Sequence, residues 1–125
     1  MTEKKKILMV DDEMTLVAMI ERRLKASGFD VAVAHDGGAG LKKAVSEKPD
    51  LILLDVMMPG MNGFEVLKAL KENPETAGIS VVMFTAGTDP QGQKKAALLG
   101  ADEYVNKSAS FEDVLQKIRI LLYES

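Results

Sequence analysis

The sequence predicts an α/β fold, a five-stranded parallel sheet with helices on both faces, in one domain spanning residues 1–125. Three observations predict it. Short unbroken apolar runs at 7–10 and 51–54, and a run at 79–84 interrupted only by Ser80, suit strands buried on both faces. Stretches with apolar residues every three or four positions follow them. Strand and helix then alternate five times through short connections, at roughly 25 residues per unit, and βα units of that kind assemble as a parallel sheet. Strand order is not legible from these patterns.

The first strand, 7–10, is closed by Asp11 and Asp12. Leu16, Ile20 and Leu24 then recur every four residues, with Glu21, Arg22, Arg23 and Lys25 as a charged face. Gly28 stands where a helix C-terminal glycine belongs. Residues 30–34 form a short Val-rich second strand. His35 to Gly38 reads as a loop, and Leu41, Ala44 and Val45 mark a second helix that stops before Pro49. The third strand, 51–54, ends on Asp55, after which Pro59-Gly60 and Asn62-Gly63 turn the chain. A helix over 64–72 faces Phe64, Leu67 and Leu70 to the core. The fourth strand, 79–84, ends at Thr85. Asp89 reads as an N-cap with Pro90 at the first helical position, and that helix ends at Gly100. Residues 103–106 are a fifth strand ending near Lys107. Phe111, Val114, Leu115, Ile118, Leu121 and Leu122 share one stripe of the last helix.

A chain of 125 residues with 46% hydrophobic and 28% charged residues suits one soluble domain with its own core. A net charge of -3 argues against a general nucleic-acid binder. With no cysteine and one histidine, His35, there is no disulfide frame, thiolate site or multi-histidine zinc site, so any metal is held by oxygen. The polar start through Lys6 and the short run behind it do not make a signal peptide, and nothing approaches a membrane span, so the expected location is the cytoplasm. Lys4 to Lys6 reads as a solubilising end and His35 as a solvated loop residue. The eight methionines read mostly as core filler, with Met57 and Met58 at the mouth of the site.

A parallel sheet brings all strand C-termini to one edge, and ligands bind there where strand order reverses. Four strands end on polar residues: Asp11-Asp12, Asp55, Thr85 and Lys107. Taken singly, Asp12 suits a helix cap and Thr85 and Lys107 suit the surface. Together they place three carboxylates, a hydroxyl and an ammonium in one pocket. Clustered carboxylates repel unless a cation neutralises them, and an all-oxygen site suits Mg2+. The hydroxyl and ammonium suit phosphoryl oxygens, and a carboxylate can itself be a nucleophile that forms an aspartyl phosphate.

With these residues the sequence resembles the receiver domain of bacterial two-component response regulators, close in size to the stand-alone chemotaxis type. The acidic pair Asp11-Asp12, Asp55 followed by Met-Pro-Gly-Met-Asn-Gly, Thr85 followed by Ala86, Tyr104, and Lys107 carry the match along nearly the whole chain. The resemblance implies a flavodoxin-like sheet in the order 2-1-3-4-5. It implies that Asp55 accepts phosphate from a sensor histidine kinase or phosphotransfer protein. It further implies that Asp11, Asp12, Asp55 and the backbone carbonyl of Met57 hold Mg2+, with Asp11 acting through water. Thr85 would move to the phosphoryl group, Lys107 would pair with it, and Tyr104 would turn into the space Thr85 vacates. Two positions depart from the family pattern. Asn62 replaces a more usual aspartate. Ser108 follows Lys107 where the family has a cis proline, and a cis Lys107-Ser108 bond is the expectation, so that the lysine still reaches the site.

The function expected is thus a phosphorylation-controlled switch rather than an enzyme, acting through a protein partner on the face of the fourth helix, fifth strand and fifth helix, around Lys94, Lys95 and Tyr104. With no output domain after Ser125, binding or phosphate relay is the expected output, without nucleic acid or membrane, and a monomer is expected when unphosphorylated. Met57 and Gly87 flank the site and are expected to influence phosphate lifetime. The alternative is a Mg2+-dependent phosphohydrolase with an aspartyl-phosphate intermediate. It lacks the second aspartate such enzymes want at position 57. A flavin-binding flavodoxin-like protein is disfavoured by the acidic Asp11-Asp12-Glu13 loop, which would repel a phosphate. A receiver relative that acts only as a scaffold is disfavoured by the intact acidic set.

Overall fold

A computed structural model describes residues 4–87 and 89–124. Met1 to Glu3 of the polar start, and Ser125, lie outside the described residues. The elements are β1 (Lys6–Val10), α1 (Met14–Ala26), β2 (Asp30–Ala34), α2 (Gly37–Glu47), β3 (Leu51–Leu54), α3 (Gly63–Glu72), β4 (Ser80–Thr85), α4 (Pro90–Leu98), β5 (Glu103–Asn106) and α5 (Phe111–Tyr123). All strand pairs are parallel and the order is β2-β1-β3-β4-β5, as the resemblance implies.

The apolar runs are unbroken because successive side chains enter different cores. Leu8, Val10, Ile52, Leu54, Val81 and Met83 pack with Ala44 of α2, Val66, Leu67 and Leu70 of α3, and Ala96 of α4. Ile7, Met9, Leu51, Leu53, Val82, Phe84 and Val105 pack on the other side with Val17, Ile20 and Leu24 of α1 and Val114 and Ile118 of α5. The α1, α3 and α5 stripes expected from spacing face the core: Ile20, Leu24, Leu67, Leu70, Val114 and Ile118 are buried, Leu16, Phe64 and Phe111 pack at the margin, and Val17 and Val66 join the buried faces.

Helix ends follow local chemistry. Gly28 and Gly100 adopt φ of 99° and 102°. That turn lets Phe29 donate to the Leu24 carbonyl and Ala101 to the Ala96 carbonyl, which satisfies carbonyls at the ends of α1 and α4. Asp89 caps α4 by accepting from the Gln91 amide, with Pro90 in the first turn as expected. Asn62, the departure from aspartate, caps α3: its side chain accepts from the Glu65 amide while Glu65 accepts from the Asn62 amide. Asn62→Ala therefore lowers stability by about 1 kcal/mol in urea unfolding. An unchanged midpoint would show that the cap carries nothing.

The structure revises four of these expectations. His35 to Gly38 is not all loop: α2 already begins at Gly37, because Asp36 accepts from the Ala39 amide as N-cap. The glycines hid that start, since they carry no helical signal. Met58 is buried in the core instead of at the site mouth, and the methionines are not mostly filler: Met14, Met19, Met57 and Met61 are exposed. Lys6 does more than end the chain in a solubilising charge. It opens β1, and its ammonium pairs with Glu47 at 2.9 Å.

Candidate functional site

Register builds the site. Val10 lies opposite Leu54, so Asp11 and Asp55 leave the sheet side by side, next to where the strand order reverses about β1. Their amides remain in the ladder, Asp11 donating to the Ala34 carbonyl at 3.0 Å and Asp55 to the Val10 carbonyl at 2.9 Å. Thr85 lies opposite Asn106, and the Lys107 amide donates to the Thr85 carbonyl at 2.7 Å. The lysine thereby starts on the same sheet edge, two strands from Asp55 and three from Asp11.

Lys107 closes that distance. Its ammonium lies 2.9 Å from Asp11 Oδ2, 3.0 Å from Glu13 Oε1 and 3.4 Å from Asp55 Oδ1, and its side chain is only 9% exposed. The expected cis bond is overturned: no cis peptide occurs among the described residues, so Lys107-Ser108 is trans. A cis bond without proline costs about 3–4 kcal/mol, and the trans loop already delivers the ammonium.

Asp11 and Asp55 are 1% and 3% exposed, whereas Asp12 is at the surface. Asp12 does not cap α1. The N-cap there is Glu13, whose side chain makes no cap bond, and its amide donates to Asp11 Oδ1 at 2.9 Å. Burial first, and then the charge of Asp11, push the Asp55 carboxyl up from the ordinary 3.8 to about 6, against the opposing pull of Lys107 and the Met57 amide. Burial pulls the Lys107 ammonium down, but close pairing with Asp11 and Glu13 and the charges of Asp11 and Asp55 outweigh it and hold it above its usual value.

The donor set fits a divalent cation. Asp11, Asp12 and Asp55 offer oxygens that lie within 4.8 Å of one another. Asp11 Oδ2 is buried with no donor aimed at it in hydrogen-bond geometry, although the Lys107 ammonium is close. A buried acceptor in that condition suits a hard cation. Met57 directs its amide to Asp55 Oδ1 at 3.3 Å and its side chain is 72% exposed, so it meets the site through its backbone.

Thr85 is buried, and its hydroxyl donates to the Ala86 carbonyl at 3.3 Å. Tyr104 is half-buried. Burial and the nearby charge of Asp89 raise its phenol above the ordinary value, against a contact with the Thr85 hydroxyl that lowers it. A Cβ on Gly92 would sit 3.0 Å from the Tyr104 hydroxyl. His35 is exposed as expected, yet its ring contacts the Asp11 carbonyl at 3.1 Å.

Two further residues shape the site without a local sequence signal. Glu13 is in sequence only part of an acidic loop, and its contact with Lys107 spans 94 positions. Gly63 is in sequence a turn residue. A Cβ there would come 2.1 Å from the Asp55 carbonyl oxygen and 2.8 Å from Val56 Cα, so only glycine lets α3 start directly behind the Asp55 backbone.

The sequence pattern of the response regulator receiver domain matches residues 7–119. The chain belongs to the response regulator receiver family. This receiver is 41% identical over 121 residues to the alkaline phosphatase synthesis transcriptional regulatory protein PhoP of Bacillus subtilis, covering 97% of the chain and 50% of that protein. It is 38% identical over 121 residues to the DNA-binding response regulator MtrA of Mycolicibacterium smegmatis, covering 97% and 52%. The receiver thus spans about half the length of the curated relatives it matches. Among solved structures it resembles chemotaxis protein CheY4 of Vibrio cholerae, with a TM-score of 0.91, 31% identity and coverage of 96% and 100%. It also resembles the BeF3-activated N-terminal receiver domain of Klebsiella pneumoniae RstA, with a TM-score of 0.88, 27% identity and coverage of 95% and 99%. Among the described residues no helix of the receiver is long and apolar enough to cross a membrane.

Proposed function

We propose that this receiver accepts a phosphoryl group on Asp55 from the phosphohistidine of a sensor kinase or phosphotransfer protein, and that the modification switches its binding to a protein partner in the cytoplasm. The observation that carries the reading is the convergence of Asp11, Asp12, Asp55 and Lys107 at one sheet edge. Asp55 is the nucleophile. One carboxylate oxygen attacks phosphorus, an O–P bond forms, the P–N bond breaks and its electron pair leaves on the imidazole nitrogen. Above about pH 6 the carboxylate is already ionised.

Asp11, Asp12, Asp55 and the Met57 backbone would hold Mg2+, which when bound offsets charge on the phosphoryl oxygens. Lys107, already 3.4 Å from Asp55, pairs with a phosphoryl oxygen, and that new attraction competes with its hold on Asp11 and Glu13. Thr85 gives up the Ala86 carbonyl and donates to the phosphoryl group, and Tyr104, in contact with Thr85, follows into the space it leaves. The added charge of roughly -1.5 to -2 biases the loops after β4 and β5. The partner face is then α4, β5 and α5, where Lys94, Lys95, Leu98, Ile120 and Tyr123 are exposed beside half-buried Tyr104.

Incubation with Mg2+ and acetyl phosphate tests the reading. The expected result is one phosphoryl group per chain, mapped to Asp55 by mass spectrometry and absent from Asp55→Asn. Steady turnover of many phosphoesters would instead establish the phosphohydrolase. A further expected outcome separates metal from switch: Lys107→Ala keeps Mg2+ binding, but its phosphorylation no longer raises partner affinity. Unchanged partner affinity in phosphorylated Lys107→Ala would remove Lys107 from the switch.

A further inference from the structure

Lys107 reaches the acids through a turn that contains no ring to stiffen it. Ser108 leaves its own φ free, where a proline would fix it. The ammonium sits at the end of a long flexible stem, so any drift of residues 107 and 108 moves it relative to Asp55. Something else must hold this turn, and the side chain of Asn106 does so. Its Oδ1 accepts from the Ser108 amide at 2.8 Å and from the Ser108 hydroxyl at 2.7 Å. The Ala109 amide closes the same turn on the Asn106 carbonyl at 3.0 Å.

The other end of the same amide faces a different loop. Asn106 Nδ2 donates to the Gly87 carbonyl at 2.9 Å. Gly87 lies two residues after Thr85, in a left-handed conformation with φ of 78°. The orientation of the amide is fixed by its partners, because the Gly87 carbonyl only accepts and the Ser108 amide only donates. One side chain therefore ties the loop that follows the Thr85 hydroxyl to the turn that carries the Lys107 ammonium. An apolar residue of similar size could do neither.

We infer that Asn106 is a positioning residue for phosphoryl acceptance: its acceptor end sets Lys107 over Asp55, and its donor end fastens the β4–α4 loop to that setting. The inference rests on the acceptor reading of Asp55 above. The acceptor end governs the rate of phosphorylation. The donor end governs the resting place of the loop after Thr85, and breaking it frees that loop to move before any phosphate is bound.

Two variants separate the ends. Asn106→Ala loses both. Asn106→Asp keeps an oxygen for the Ser108 amide but loses the donor to Gly87. With acetyl phosphate at saturating Mg2+, the maximal phosphorylation rate of Asn106→Ala falls about tenfold, the scale of a small misplacement of a catalytic group. The Mg2+ concentration at half saturation stays the same, since the carboxylates are untouched. Asn106→Asp recovers most of the rate, which a loss of stability alone would not produce. In Asn106→Asp the NMR signals of Ala86 and Gly87 already move toward the positions that beryllium fluoride induces in the wild type. The Ser108 amide, measured without phosphate, exchanges faster in Asn106→Ala and stays protected in Asn106→Asp. Circular dichroism confirms that both variants fold. A wild-type rate in Asn106→Ala, or an Asn106→Asp chain as slow as Asn106→Ala, overturns the assignment. A wild-type protein that takes no phosphate at all overturns the reading of Asp55 instead, and Ser108 exchange then still decides whether Asn106 holds the turn.

Discussion

Asp55→Asn makes the metal-free protein more stable at pH 7.5, although it removes the proposed nucleophile. The direction follows from the raised pKa. Folded Asp55 titrates at about 6 while the unfolded carboxyl titrates at its ordinary 3.8. Between those values the folded state binds the proton more tightly, so stability falls as pH rises through that window, and the full penalty is present above about 6. An amide cannot ionise and escapes the penalty. The expected gain is about 1–3 kcal/mol in urea unfolding with chelator present. It vanishes below the unfolded pKa, where both the wild-type states are protonated.

Added Mg2+ is expected to narrow or reverse this difference. A ligand that binds only the folded state stabilises it in proportion to the logarithm of its concentration above Kd. The wild type, with all three carboxylates, gains from millimolar Mg2+, while Asp55→Asn gains less because a ligand oxygen has become an amide. The two unfolding midpoints should therefore approach each other or cross as Mg2+ is added. If Asp55→Asn is no more stable than wild type in chelator at pH 7.5, the electrostatic account of the site is wrong.

Gly63→Ala carries the second large effect. The added Cβ has backbone atoms for neighbours, the Asp55 carbonyl oxygen at 2.1 Å and Val56 Cα at 2.8 Å, and no flexible side chain can give way. The Gly63 amide also donates to the Val56 carbonyl at 2.9 Å, so helix and strand end are tied at the point of collision. Relief requires α3 to move away from β3 or Asp55 to shift. The cost is at least about 3 kcal/mol, read as a fall of about 10 °C in thermal midpoint for a domain of this size. Asp55 is displaced as well, so phosphorylation by acetyl phosphate slows even in the fraction that stays folded. A midpoint within a degree or two of wild type would mean that the close approach is loose in solution.

The residues of the site could be read from the sequence because of one property of parallel sheets. Every strand C-terminus lies on the same edge, so the residue after each apolar run is placed without knowing any long-range contact. This places Asp11, Asp12, Asp55, Thr85 and Lys107 on that edge as candidates, of which the structure brings Asp11, Asp12, Asp55 and Lys107 together, and the two-faced burial of the strands shows as apolar runs with no alternation. Burial stripes and caps made most helices legible too. The start of α2 was hidden because glycines carry no helical signal and only the Asp36 cap reveals it.

Only the tertiary structure decided how these residues meet. Glu13 reaches Lys107 across 94 positions, and no local pattern encodes that contact. The turn after Lys107 is held by hydrogen bonds that the Asn106 side chain makes to Ser108 and to Gly87, 19 positions away. Gly63 is a turn residue in sequence and a point of backbone contact behind Asp55 in space. Periodicity fixes which face of an element is buried, but loop conformation and the approach of one backbone to another depend on the packed chain as a whole. The proposed nucleophile could thus be named from the chain alone, while the parts that hold the nearby lysine and its own backbone in place are visible only in three dimensions.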